Sequence, residues 1–417
     1  MLRSTLNRAA IALLLCLMGV AMPARSADVP TNDERWVAAW GAAPVSAGPS
    51  LKAQTVRQRI RTSIGGTRVR IRLSNLFGSV PVTMGPVHVA KPADGSVIKP
   101  GTDRAVTFDG KAAVTIVQGG SALSDPVTLP VAALEELVVS LHLPDGAAES
   151  TVHGFGNQAA FFANGDVAAA ERFPEGETDN RRYFLTDVEV AADPAASAIV
   201  ILGDSITDGV GSTVNQNARW PDVLATRLQA DPMYATIAVV NAGIAGNRIV
   251  NDAVAPYRGP SSLSRFDRDV LDKPGVRWVL LLQGGNDISG ADVLKTPKDK
   301  VSAQQIIDGM KALIARAHAK GIKIWGATLL PKEGTEFPAP YTAAAEAKRK
   351  EVNAWIRDAG AFDAVVDFDK VMRDPAHPGR LLPAFDSGDH LHPNDAGYKA
   401  MAAVIDLQWF SGAHGAQ

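Results

Sequence analysis

Four short stretches carry residue types that together could do chemistry: 203–209 (GDSITDG), 241–247 (NAGIAGN), 284–288 (GGNDI) and 389–393 (DHLHP). A serine hydroxyl is a weak nucleophile near neutral pH and needs an adjacent base to take its proton. Imidazole, with an unperturbed pKa of about 6.5, can accept that proton and return it. A neighbouring carboxylate fixes the tautomer and stabilises the imidazolium that forms. Donors set in advance, such as glycine N–H groups and an asparagine amide, stabilise an oxyanion, and losing one costs about 10²–10³ in turnover. The first stretch alone is equally a plain strand-to-helix turn with Ser205 as a helix N-cap. Asp204 and Asp208 read as hydrogen-bond partners of loop backbone, since no histidine cluster accompanies them for a metal.

The elements around these stretches can gather them. Residues 199–202 (IVIL) are a short continuous apolar run, as in a strand buried on both faces. Residues 237–241, 278–282, 322–330 and 364–368 read as further strands. Helices are expected at 221–228, with proline early where its missing N–H costs nothing, at 343–359, and from Pro393 to about Trp409. Ile306, Ile307, Met310, Leu313, Ile314 and Ala317 recur at helical spacing. Strands alternating with helices point to a parallel sheet, in which ligands bind at the carboxyl ends of the strands.

Residues 35–190 read differently, as mostly β. Val69, Ile71 and Leu73 alternate with Arg68, Arg70 and Arg72, the period of a half-buried strand with a solvated arginine face. Gly65-Gly66 is placed to turn a tight hairpin back from 60–64. Short strands are expected at 87–90, 113–117, 137–142 and 183–190. A β-sandwich-like module accounts for this region, with Trp36 and Trp40 as core anchors and 154–157 (GFGN) as a candidate loop toward the crevice. The small-residue run 192–197 divides it from the α/β part, giving 27–192 and 193–417.

Residues 1–26 have the three parts of a secretory signal: Arg3 and Arg8 without an acid, an apolar run over 9–22, and small residues at 24 and 26. The run is shorter than the ~20 residues that span a bilayer, so an exported protein (periplasmic or extracellular) without stable membrane insertion is expected. The one cysteine, Cys16, lies in this segment. The remainder thus has no disulfide, thiol nucleophile or cysteine-bound metal. The chain of 417 residues is 46% apolar and 21% charged, ordinary for a globular protein, and its formal charge of −2 lacks the basic surplus of a nucleic-acid binder.

With the four stretches in this order, the sequence resembles the SGNH superfamily of GDSL-type serine esterases and lipases over about residues 197–410. The β-rich region is similar to the N-terminal module of a bacterial, xylan-esterase-like branch. The resemblance implies an α/β fold with a flavodoxin-like three-layer parallel sheet. It implies Ser205 as nucleophile, His392 as general base and Asp389 as the residue orienting it. It implies an oxyanion hole from the N–H of Ser205, the N–H of Gly246 and the side chain of Asn286. Ile206 stands where the family name has leucine, a mild change. His390 is a rival base at a poor offset from Asp389; Asp386 and Asp395 are rival orienting acids, and Gly243 a rival oxyanion glycine. His88, His142, His153, His318, His377 and His414 read as surface or satisfied core residues.

The expected activity is ester hydrolysis through an acyl-enzyme on Ser205, with no cofactor or metal. The expected substrate is an O-acetyl group of a polysaccharide. A lipase, lysophospholipase or arylesterase is the second reading. A carbohydrate-binding protein with an inactive hydrolase domain is the third, although none of the catalytic side chains is missing.

Overall fold

The strictest alternation in the sequence becomes the strand Gly66–Ser74, with Val69, Ile71 and Leu73 buried. The computed structural model describes residues 35–253 and 258–411. The expected leader and Cys16 therefore lie outside the described residues. One antiparallel sheet runs Arg35–Gly41, Leu185–Ala192, Gly66–Ser74, Val127–Val131, with Ser121–Leu123 also on Gly66–Ser74. A second contains Ala160–Asn164, Gln54–Arg61, Glu136–Leu143 and Val87–Ala90 at its centre. Apolar residues of both meet in one core, among them Val69, Ile71 and Val188 from the first and Val56, Ile60 and Val139 from the second.

The expected hairpin at Gly65-Gly66 does not form. Gln54–Arg61 pairs with Glu136–Leu143 and Ala160–Asn164, whereas Gly66–Ser74 pairs with Leu185–Ala192. The glycines therefore sit where the chain crosses between sheets, and their smallness serves close approach. A Cβ on Gly65 would lie 2.6 Å from the Val131 carbonyl oxygen, and one on Gly66 2.6 Å from that of Ala191. The arginine face is not simply solvated either. Arg70 pairs with Glu189 and lies over the Trp36 ring at 4.3 Å, while Arg72 faces Asp187 and Glu189 at 3.7 Å. Across-strand carboxylates, invisible in a local pattern, have claimed these charges.

After a turn at 193–196 the parallel sheet begins. Its strands lie in the order Ile237–Gly243, Ser197–Gly203, Val276–Leu282, Lys323–Ala327, Ala364–Val366, all parallel. Alternate residues of Ser197–Gly203 face opposite sides. Val200 and Leu202 join Ile306, Met310 and Leu313 of the helix Ala303–Ala319 and Val352 and Ile356 of Ala343–Asp358. Ile199 and Ile201 join Trp220 and Leu224 of Trp220–Gln229 and Tyr398 and Met401 of Asp395–Ala403. Burial on both faces is why this strand reads as an unbroken apolar run. The chain leaves it to one side and returns to the other, so a crevice opens at its carboxyl end, beside Gly203.

The β-rich region packs directly on this sheet. A Cβ on Gly41 would lie 2.7 Å from Val240 Cγ1, and the Val239 N–H donates to Ser63 Oγ at 3.0 Å. Trp40 is buried there, as an anchor of the core. Among the described residues no helix is long and apolar enough to cross a membrane.

Candidate active site

The strand Ser197–Gly203 ends in a sharp turn into the four-residue helix Ser205–Asp208. Asp204, not Ser205, caps it: Asp204 Oδ1 accepts the Ile206 N–H at 3.2 Å. That frees the Ser205 hydroxyl. The helix ends at Gly209, whose φ of 101° suits glycine and where a Cβ would lie 2.1 Å from Arg219 Cγ.

Ser205 Oγ–H donates to His392 Nε2 at 2.8 Å, and His392 Nδ1–H donates to Asp389 Oδ2 at 2.5 Å. The carboxylate on Nδ1 fixes the proton there and leaves Nε2 as an acceptor. Asp389 is fixed in turn, its Oδ1 accepting the N–H groups of His392 at 2.8 Å and Leu391 at 2.9 Å. Partial burial pushes its carboxyl up. The hydrogen bonds from the His392 ring and backbone outweigh that and hold it well below the usual carboxylate range.

The rival residues fall elsewhere. His390 Nδ1 meets Asp386 Oδ2 at 2.6 Å in a second pair, in which the imidazole is exposed. Asp395 accepts both the N–H and the hydroxyl of Thr213, at 2.8 and 2.6 Å. Gly243 donates its N–H to Asn241 Oδ1 at 2.8 Å and is tight against the next turn, a Cβ falling 2.5 Å from the Asp208 nitrogen.

Gly246 and Asn286 line the same open cleft as Ser205, Asp389 and His392. The loop carrying Gly246 is held on three sides. Asp208 Oδ2 accepts the Ala245 N–H at 2.8 Å. The buried Asn247 amide accepts from Gln283 Nε2 at 2.8 Å and Arg265 Nη2 at 3.0 Å, and donates to the carbonyls of Arg258 and Pro260. Asp287, one residue past Asn286, accepts the N–H groups of Ile249 and Val250 at 2.9 and 3.0 Å. Burial raises the carboxyls of both Asp204 and Asp287 to about 6. All three anchors lie inside the four stretches; Asp208 was read there as a partner of loop backbone, whereas the roles of Asn247 and Asp287 were not legible.

Ser205 stands between two recesses. The smaller one, about 60 Å³, is walled by Ile206, Leu282, Ile288, Leu329, Leu330 and Leu391 and also touches Lys332 and Asn286. Lys332 is buried, bonded to Ser289 Oγ at 2.6 Å, and its ammonium is lowered by that burial. The open one, about 670 Å³, adds Arg258, Glu336, Phe337 and His390 to Ser205, Asp389 and His392. The loop 154–157 does not line either recess; it packs behind the turn that carries Ser205, where Asn157 Nδ2 donates to Ser212 Oγ at 2.7 Å. His153, read from the sequence as unremarkable, meets Asp208 there.

Residues 201–400 match the GDSL-like Lipase/Acylhydrolase family. No curated protein matches. Among solved structures, similar chains include a native aryl esterase of M. smegmatis (18% identical, 50% of this chain and 95% of that one, TM-score 0.39). Others are a GDSL-like lipase from Bacteroides thetaiotaomicron (20%, 50% and 85%, 0.37) and a catalytic mutant of an acetylxylan esterase from Geobacillus stearothermophilus (22%, 50% and 93%, 0.37).

Proposed function

Residues 201–400 form a GDSL-like lipase/acylhydrolase domain, a carboxylic-ester hydrolase, and from that premise we propose an exported serine esterase that removes short acyl groups, acetyl above all, from a polysaccharide. The observation that carries it is the hydrogen-bonded row Ser205–His392–Asp389 set between a small recess and a large open one.

In this reading Ser205 Oγ attacks the ester carbonyl carbon as its proton passes to His392 Nε2. The oxyanion is met by the N–H groups of Ser205 and Gly246 and the amide of Asn286. The C–O bond to the alcohol breaks, and His392 gives its proton to the departing oxygen. Water, deprotonated by the same imidazole, then attacks the acyl-enzyme and releases the acid.

The placing of the two halves of the substrate follows from the proton. His392 lines only the open cleft, so the alcohol that it protonates lies there and the acyl group lies in the smaller recess. That recess, about 60 Å³ where a single water needs about 10–15 Å³, suits a few heavy atoms. The buried Lys332 ammonium in it disfavours a long alkyl chain. The open cleft suits a bulky alcohol. Phe337, 82% exposed at its edge, offers a flat apolar face to a sugar ring, and Arg258, Glu336 and His390 offer partners to hydroxyls. The leader pattern of residues 1–26 supports an extracytoplasmic substrate.

The test compares p-nitrophenyl acetate with the octanoate, and measures acetate released from acetylated xylan, for the protein and its Ser205→Ala and Phe337→Ala variants. The reading requires a strong acetyl preference and loss of activity in Ser205→Ala. Phe337→Ala should raise KM on the polysaccharide several-fold and leave the small ester unchanged. Faster turnover of octanoate would replace this reading by a lipid esterase.

A further inference from the structure

The β-rich region reaches the catalytic machinery at one buried point. His153 ends the strand Thr151–His153 and is 5% exposed. Its Nδ1 faces the Ala43 carbonyl oxygen at 2.9 Å; its Nε2 faces the Phe155 carbonyl oxygen at 3.1 Å and Asp208 Oδ1 at 3.0 Å. Both ring nitrogens therefore meet only acceptors, which a neutral imidazole, with one N–H, cannot satisfy. An imidazolium, with an N–H on each ring nitrogen, can donate on both sides. Burial alone would favour the neutral ring, but the Asp208 charge and the hydrogen bonds prevail and raise its pKa.

Asp208 is itself 2% exposed and divides its oxygens, Oδ1 to His153 and Oδ2 to the Ala245 N–H at 2.8 Å. Arg219 and Arg265 lie near it, yet Arg219 is bonded to Asp222, and Arg265 to Asp269 and Asn247. Among the described residues His153 is thus the cation that hydrogen-bonds this carboxylate. The next residue after Ala245 is Gly246.

We propose that His153 is a positioning residue for ester hydrolysis: the β-rich region supplies a cation that fixes Asp208, and Asp208 fixes the loop that presents the Gly246 N–H to the oxyanion. The region then completes the active site from behind, through a row His153–Asp208–Ala245–Gly246, while touching no substrate. This rests on the serine-esterase reading above. Its effect belongs to the transition state, because the oxyanion exists only there.

The test is kcat and KM on p-nitrophenyl acetate for His153→Ala, His153→Gln, Asp208→Ala and the His153→Ala/Asp208→Ala double variant, each rate divided by the sites titrated with a serine-directed fluorophosphonate. Misfolded molecules then drop out of the comparison. His153→Ala should lower kcat about 10- to 100-fold, in the range of a misplaced catalytic group, with KM within about threefold. His153→Gln, which keeps one N–H for Asp208, should recover most of kcat. The double variant should match Asp208→Ala, since His153 acts through that carboxylate. A wild-type kcat in His153→Ala, a loss confined to KM, or a loss that multiplies onto that of Asp208→Ala would overturn the proposal. Equal inactivity of the wild type and Ser205→Ala would instead sink the esterase reading and this inference with it.

Discussion

Replacing Asp389 by asparagine tests the row of hydrogen bonds where it is most specific. Asp389 Oδ1 is held by two backbone N–H groups, at 2.8 and 2.9 Å, so an asparagine there keeps its carbonyl oxygen on them. Its NH₂ then takes the place of Oδ2, 2.5 Å from His392 Nδ1. A donor there forces the ring proton to Nε2, and Nε2 no longer accepts from Ser205. Inverting the tautomer of such a triad lowers turnover about 10⁴-fold where the acid is buried. Asp389 is 44% exposed, so water tempers the loss of the negative charge. The expected fall in kcat is about 10³- to 10⁴-fold, or about 4–5.5 kcal/mol at 1.36 kcal/mol per decade. Steady-state hydrolysis of p-nitrophenyl acetate at pH 7.5 reads it, with Asp386→Asn alongside. Asp386 bonds His390 and not His392, so Asp386→Asn should stay within about fivefold of wild type. Equal losses in the two variants, or a loss below tenfold in Asp389→Asn, would refute the assignment.

Asn286→Ala should lower kcat about 10²- to 10³-fold with little change in KM, and a change confined to KM would remove Asn286 from the oxyanion site. Asp204→Asn keeps the cap on the Ile206 N–H but removes a buried charge. An acid whose folded pKa is about 6 against about 3.9 unfolded destabilises the fold increasingly from pH 4 to 6 and fully above that. Urea unfolding should therefore find the variant about 2–3 kcal/mol more stable at pH 8 and unchanged near pH 4; a pH-independent difference would contradict this. Asp269→Ala strands the fully buried Arg265, which also bonds the Ala242 carbonyl oxygen and the Asn247 amide, and should cost about 3–5 kcal/mol at pH 7. That contribution is present above the unfolded carboxylate pKa and fades as pH falls through the lowered folded value, so the wild type and the variant should converge in acid.

The site's side chains were legible because chemistry restricts them to few types and short spacings. Asp389 and His392 are three positions apart, and the bend between them brings Oδ2 onto Nδ1. The parallel strands were legible too, since a strand covered on both faces must be apolar throughout. What was not legible is everything that depends on a partner far along the chain. Gly65-Gly66 looks like a hairpin until Gly66–Ser74 is seen to pair with Leu185–Ala192, more than a hundred residues away. The arginines at 70 and 72 look solvated until Asp187 and Glu189 are seen across the strand.

The sequence by itself named candidate reacting groups: a hydroxyl and an amide at loops where strands end, and an imidazole and a carboxylate in a late loop before the last helix. Tertiary structure alone decided how they are supported and what reaches them. It set Asp204 rather than Ser205 as the helix cap and a small recess against an open cleft. It also brought a histidine of the β-rich region onto Asp208, behind the turn that carries Ser205. Reactive groups are chosen by bond chemistry, which is local; burial, charge compensation and cavity shape are sums over neighbours that only the folded chain assembles.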